Sequence, residues 1–215
     1  MSKPRVVVFA SGTKTDGGSG FENLVWRMRA HFLHADIVAV VSNIKGGGVE
    51  KRARELSIPY VYFPKPRSAG EHQKIVSDLN IEYVFLSGCL WLTKGLNPAK
   101  TINIHPGPLP EFGGKGLYGM HVHSAVLEAY KHGEIKESAV CMHFVTEKYD
   151  KGPVFFRKSV PILPTDTVED LAARVHEMEI TWQPNISNLI VTGQISWDGN
   201  DPKSLKVPSW YSVDI

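Results

Sequence analysis

Short runs of consecutive apolar residues alternate along this chain with segments in which apolar residues return every three or four positions. Arg5 to Ala10 (RVVVFA), Asp36 to Val41 (DIVAVV), Ile58 to Phe63 and Ile81 to Leu86 (IEYVFL) are rich in β-branched and aromatic residues, as strands buried on both faces require. Between them, Phe21 to Leu33, Val49 to Leu56 and Ala69 to Leu79 read as helices. Strands alternating with helices at this spacing predict an α/β fold: an open, mostly parallel sheet with helices on both faces. Right-handed crossovers then carry the loops Ser11–Gly20, Ser42–Gly48, Ser87–Leu92 and His105–Gly119 to one rim.

The second half changes pattern. After a helix from Tyr118 to His132, Ala139 to Thr146 (AVCMHFVT) and Pro153 to Val160 (PVFFRKSV) read as a strand pair joined by the hairpin-like Glu147–Gly152, which adds an antiparallel strand near the C-terminal part. Asp166 or Thr167 caps a final helix that is expected to run to about Thr181, with Pro184 kinking or restarting it. The segment from Gly193 onward is polar with isolated tryptophans and reads as a peripheral hairpin or arm. No repeat, low-complexity tract or linker divides the chain, so 1–215 is expected to form a single domain.

One stretch concentrates candidate chemistry. In Thr101-Ile102-Asn103-Ile104-His105 apolar and polar residues alternate, so Ile102 and Ile104 face one way and Asn103 and His105 the other. Pro106 ends the strand, and ligands of open α/β sheets bind beyond such carboxyl ends. A second candidate is the Gly-rich turn Ser11–Gly20 between the first strand and the first helix. It is either an anion cradle on exposed helix amides or a tight connection, and it fits neither a Walker loop nor the dinucleotide fingerprint.

Composition adds mainly exclusions. A formal net charge of +2, from 24 basic and 22 acidic residues without a basic block, gives no reason to expect nucleic acid or membrane as a partner. No apolar stretch approaches the ~20 residues of a membrane helix, and the two cysteines, Cys89 and Cys141, sit in apolar runs as free thiols. The expected location is cytoplasmic.

Asn103-Ile104-His105-Pro106, Leu109-Pro110 and Asp150-Lys151-Gly152-Pro153 closely resemble the phosphoribosylglycinamide formyltransferases. Val41-Ser42-Asn43, the Glu50–Glu55 segment, Leu86-Ser87-Gly88, His143-Phe144-Val145-Thr146 and Ala173-Arg174-Val175 extend the resemblance over nearly the whole chain. It implies a Rossmann-like formyltransferase fold, with a nucleotide-phosphate half (about 1–100), a catalytic and folate half (about 101–192) and a tail (193–215). The implied reaction moves a formyl group from 10-formyltetrahydrofolate, a co-substrate, to the amine of glycinamide ribonucleotide in purine synthesis. No metal is implied, and the expected assembly is a monomer or homodimer.

The resemblance assigns catalysis to Asn103, His105 and Asp150, and substrate phosphate to Gly18, Ser19 and Gly20, with Gly20 standing where the usual motif has Asn. It assigns nucleotide contact to Glu179. Folate contacts fall on Gly88, Cys89, Leu90, Trp91 and Leu92, and on Thr146, Glu147, Lys148 and Tyr149. Three departures stand out: Thr13–Gly17 lengthens the first loop, Trp91 stands in a segment where some members carry arginine, and Phe112–Gly119 lengthens the loop after the histidine.

Formyl transfer to an amine needs an oxyanion donor and a proton shuttle. Asn103 can donate an amide N–H, His105 can exchange protons, and Asp150 is expected to hold His105 cationic. His143 and Cys141 read as core residues, and His121 and His123 as helix-start structure, two apart and poorly spaced for joint metal ligation. Lys115 reads as a solvated loop lysine, and Trp91 as either packing or a stacking wall. The competing functions are formyl transfer to another amine such as a sugar nucleotide, formyltetrahydrofolate hydrolysis, and a non-catalytic folate- or nucleotide-binding regulatory module.

Overall fold

The apolar runs of the first half fold as β1 (Arg5–Phe9), β2 (Asp36–Ser42), β3 (Tyr60–Tyr62) and β4 (Tyr83–Leu86), and the alternating stretch as β5 (Thr101–His105). The computed structural model describes residues 2–211. Helices α1 (Ser19–Arg29), α2 (Gly48–Glu55) and α3 (Ala69–Asp78) connect the first four strands. Then come α4 (Met120–Lys131), β6 (Glu137–Phe144), β7 (Val154–Pro161) and α5 (Val168–Val191). The strands form one sheet in the order β3-β2-β1-β4-β5-β6-β7. β3, β2, β1, β4 and β5 pair in parallel, β6 is antiparallel to β5, and β7 is antiparallel to β6.

Strand alternation assigns the two faces. Val6 and Val8 of β1 and Ile102 and Ile104 of β5 join the larger core with residues of α1, α2, α4 and α5. Val7 and Phe9 face the other way, toward the α3 side, and share a second core with Trp91. Asn103 and His105 are thereby turned away from the main core.

The last helix differs from expectation: it passes Thr181 and runs unbroken to Val191 with Pro184 inside it. Proline has no N–H for the carbonyl of Ile180, one turn back. Asn23 of α1 fills that role, its Nδ2 donating to the Ile180 carbonyl at 2.7 Å. At its start, Thr167 and Asp170 form a reciprocal capping box. The segment after Gly193 pairs through a Ser196–Lys206 bridge, but it is not wholly peripheral. Ile195 and Trp197 are buried in the main core, where Trp197 lies 5.5 Å from the ring of Phe144. Their isolation among polar neighbours hid them from a periodicity reading.

Asn23→Ala should lower unfolding stability by about 1 kcal/mol, because a partly buried carbonyl loses its only donor. In a Pro184→Ala background the helix regains its own N–H, and the Asn23→Ala cost should shrink. Denaturant unfolding of the four chains checks this; an equal cost in both backgrounds would show that Asn23 stabilises by another route.

Candidate active site

A cavity of about 410 Å³ lies at the carboxyl ends of β1, β4 and β5. Between β1 and β4 the chain switches direction of winding, the place where open α/β sheets form a crevice. The rim loops hold one another there. Ser11 N–H donates to the Gly88 carbonyl at 3.0 Å, Leu90 N–H to Ser11 Oγ at 2.8 Å, and Gly12 N–H to Asn43 Oδ1 at 3.1 Å.

One wall is a polar cluster. β5 and β6 pair so that Asn103 is opposite His143 and His105 opposite Cys141. Asn103 Nδ2 lies 3.0 Å from His143 Nε2, and His143 Nδ1 lies 2.8 Å from the Phe144 carbonyl. Asp150, in the left-handed region at φ 51°, brings Oδ1 to 3.3 Å from His143 Nε2 and 3.9 Å from His105 Nδ1. The Phe112–Gly119 loop closes over the pair. The Phe112 carbonyl lies 2.8 Å from His105 Nε2, and Gly114 N–H donates to Asp150 Oδ2 at 2.9 Å.

A carbonyl only accepts, so His105 Nε2 carries a proton and Nδ1 is the basic atom, facing Asp150. Burial pushes the His105 imidazole below its ordinary range, although Asp150 and the Phe112 carbonyl pull it up. The expectation that Asp150 keeps His105 cationic is thus corrected, because desolvation outweighs the carboxylate and the ring rests neutral near pH 7. Burial would raise Asp150, but its contacts with the His143 and His105 imidazoles and with the Gly114 N–H hold it below the usual carboxylate range.

The opposite wall is built by α1 and α5. Gly18, at φ 85°, caps α1 without any side-chain acceptor, so the first-turn amides after it lack a side-chain partner. The lengthened first loop packs onto α2: Gly48 N–H donates to the Thr13 carbonyl at 3.1 Å. A Cβ on Gly48 would come within 2.5 Å of Asp16. Arg52 donates to the Gly17 carbonyl at 3.0 Å and pairs with Glu22 and Asp16. Across from this loop, Ala172, His176, Glu179, Ile180 and Gln183 line the cavity as one stripe of α5. Glu179 Oε2 lies 3.5 Å from His176 Nδ1. That contact, with the charges of Glu179 and Asp16, raises His176 above the usual imidazole range, while burial raises Glu179.

The formyl transferase family model matches residues 4–186. The chain belongs to the formyl transferase family. It is 34% identical over 206 residues to the chloroplastic phosphoribosylglycinamide formyltransferase of Arabidopsis thaliana, covering 91% of this chain and 68% of that relative. The phosphoribosylglycinamide formyltransferase of Bacillus subtilis is 31% identical over 192 residues, covering 85% of this chain and 92% of the relative. The crystal structure of the Brucella melitensis phosphoribosylglycinamide formyltransferase superposes with a TM-score of 0.73 at 31% identity, covering 90% of this chain and 98% of that one.

Of the positions suggested by the family resemblance, Gly18, Ser19, Gly20, Gly88, Cys89, Leu90, Asn103, His105, Tyr149, Asp150 and Glu179 all line this one cavity. Trp91, Leu92, Thr146, Glu147 and Lys148 do not. Trp91 is turned to the α3 side, its ring 6.3 Å from Phe9 and 6.4 Å from Phe63, with the Arg67 guanidinium 4.5 Å over it. Packing is therefore the reading that holds for Trp91: past Leu90 the chain crosses to the other core.

Sequence reasoning missed four lining or bracing residues. His143 reads as a core position in AVCMHFVT, and only its register opposite Asn103 reveals it. His123 is buried beside the cavity, with Nδ1 unpartnered, and burial pushes it down to about 4. His176 and Gln183 share Glu179's face of α5 at spacings of three and four, a signal available once Glu179 is singled out.

By proton NMR, His105 should titrate below the ordinary imidazole value, and Asp150→Asn should move it lower still, because the mutation removes a charge that favours the imidazolium. A rise or no change in the variant would show the two groups to be uncoupled.

Proposed function

We propose that this chain transfers the formyl group of 10-formyltetrahydrofolate to the primary amine of glycinamide ribonucleotide. The observation that carries the reading is that one cavity joins an acyl-transfer cluster, Asn103, His105 and Asp150, to an uncapped helix start and an α5 stripe suited to a phosphorylated sugar. The names of the relatives point the same way.

Attack of the amine on the formyl carbon forms a C–N bond and places negative charge on the formyl oxygen. The Asn103 amide carries two N–H groups beside His143 Nε2, and one of them is available to that oxyanion. The attacking nitrogen must lose a proton, and His105 Nδ1, neutral and basic at rest, receives it. The imidazolium so formed lies 3.9 Å from Asp150, which stabilises it until the proton passes to the departing folate nitrogen. Asp150 thus acts mainly on the protonated intermediate state of His105, rather than by fixing a cation beforehand. Gly88, Cys89, Leu90 and Tyr149, on the cavity wall, are the residues available to a folate.

A coupled absorbance assay of folate deformylation tests the reading. Deformylation should require glycinamide ribonucleotide. Turnover without an acceptor would mean hydrolysis, turnover only with an amino-sugar nucleotide would mean another acceptor, and none with any would leave a binding module. Asp150→Asn should lower kcat by roughly two orders of magnitude with little effect on KM. The Asp150→Asn/His105→Asn double variant should be no slower than the worse single variant, because the two residues act as a unit.

A second measurement concerns folate placement. Binding of a folate analogue should change tryptophan fluorescence to the same extent in Trp91→Phe as in the parent chain, since the indole packs outside the cavity. Loss of most of the signal in the variant would bring Trp91 back to the folate.

A further inference from the structure

The cavity floor beneath the first turn of α1 holds a polar pair that formyl transfer itself leaves without a task. Ser87, just past the end of β4, donates its hydroxyl to Gln183 Oε1 of α5 at 3.0 Å. Both side chains are buried, at 7% and 2% exposure, and both line the cavity. Gln183 makes this one hydrogen bond, and among the described residues its Nε2 has no acceptor. Nε2 is not fully enclosed by the protein, so an acceptor that arrives from the cavity side can reach it.

Gly20 explains how the pair fits. A Cβ there would lie 2.2 Å from Ser87 Oγ and 3.2 Å from Gln183 Oε1. The volume that a side chain at position 20 would fill is taken by a hydroxyl and an amide reaching in from β4 and α5. Any residue larger than glycine would displace the hydroxyl.

The chemistry of the pair selects its ligand. Ser87 Oγ spends its proton on Gln183 and keeps lone pairs, whereas Gln183 Nε2 keeps protons. A ligand hydroxyl satisfies both, accepting from Nε2 and donating to Oγ. A phosphate oxygen can only accept, and a methylene satisfies neither. The location agrees: the α1 amides lie on one side, and Glu179 is one helical turn away on α5. We propose that Ser87 and Gln183 together bind a hydroxyl of the substrate's sugar, and that position 20 is glycine to leave them room. This rests on the reading that a phosphorylated sugar occupies the cavity.

Calorimetric titration with ribose 5-phosphate and with its 2-deoxy and 3-deoxy analogues tests the pair without requiring formyl transfer. The wild-type protein should bind ribose 5-phosphate about tenfold or more tighter than one of the analogues, the worth of one well-made buried hydrogen bond. The Ser87→Ala/Gln183→Met variant should lose that preference to within about threefold. Gly20→Ala, which keeps both polar groups but crowds the hydroxyl, should lose it too, and it answers the question if the double variant misfolds. Equal binding of all three sugars by the wild type, no binding at all, or preference retained in the variants would overturn the proposal. Preference without turnover of glycinamide ribonucleotide would sink the formyl-transfer reading and leave the pair standing. Turnover without preference would do the reverse.

Discussion

Where β6 pairs antiparallel with β5, the parallel sheet ends, and the register of that pairing decides which groups meet. Asn103 stands opposite His143, and the chain leaving β6 folds back so that Asp150 reaches both His143 and His105. A slip of one residue would turn Asn103 and His105 into the main core and bring Ile102 and Ile104 to the cavity. The apolar alternation of β5 therefore protects the chemistry: Ile102 and Ile104 are buried at 1% and 5% exposure, and their burial holds the polar pair in place.

The cluster gathers two histidines and a carboxylate with little contact to water, an arrangement that is costly unless each polar atom is partnered. Backbone atoms supply much of that partnering. The Phe112 and Phe144 carbonyls and the Gly114 N–H fix ring orientation and carboxylate position without adding charge. The lengthened loop after the histidine is thus part of the site, since two of these three contacts come from it. The same desolvation holds the His105 imidazole below its ordinary range, which under the proposed mechanism leaves Nδ1 free to accept a proton.

Much of this was legible in the chain. Runs of Val, Ile and Phe announced the parallel strands, and the Asn103–His105 alternation announced its own two faces. Relations between distant segments were not legible. His143 looks like core because a strand's partner and register are absent from its local pattern. Trp91 follows Gly88 closely, yet its side chain belongs to the second core, because the chain leaving β4 passes to the other face of the sheet there. Ile195 and Trp197 are single apolar residues in a polar segment, and only tertiary packing shows them buried.

Helix α5 shows why a local rule failed where function needed it to fail. Proline at 184 predicts a break, and a break near Thr181 would have ended the stripe after Glu179 and Ile180. Asn23 supplies the missing donor, so the helical register carries on from Glu179 to Gln183. His176, Glu179 and Gln183 then face the cavity as imidazole, carboxyl and amide in successive positions along one side. The donor comes from α1, the helix whose first turn forms the facing wall. One side-chain contact between α1 and α5 thus stabilises the fold and also sets the spacing of the two surfaces between which a substrate must fit.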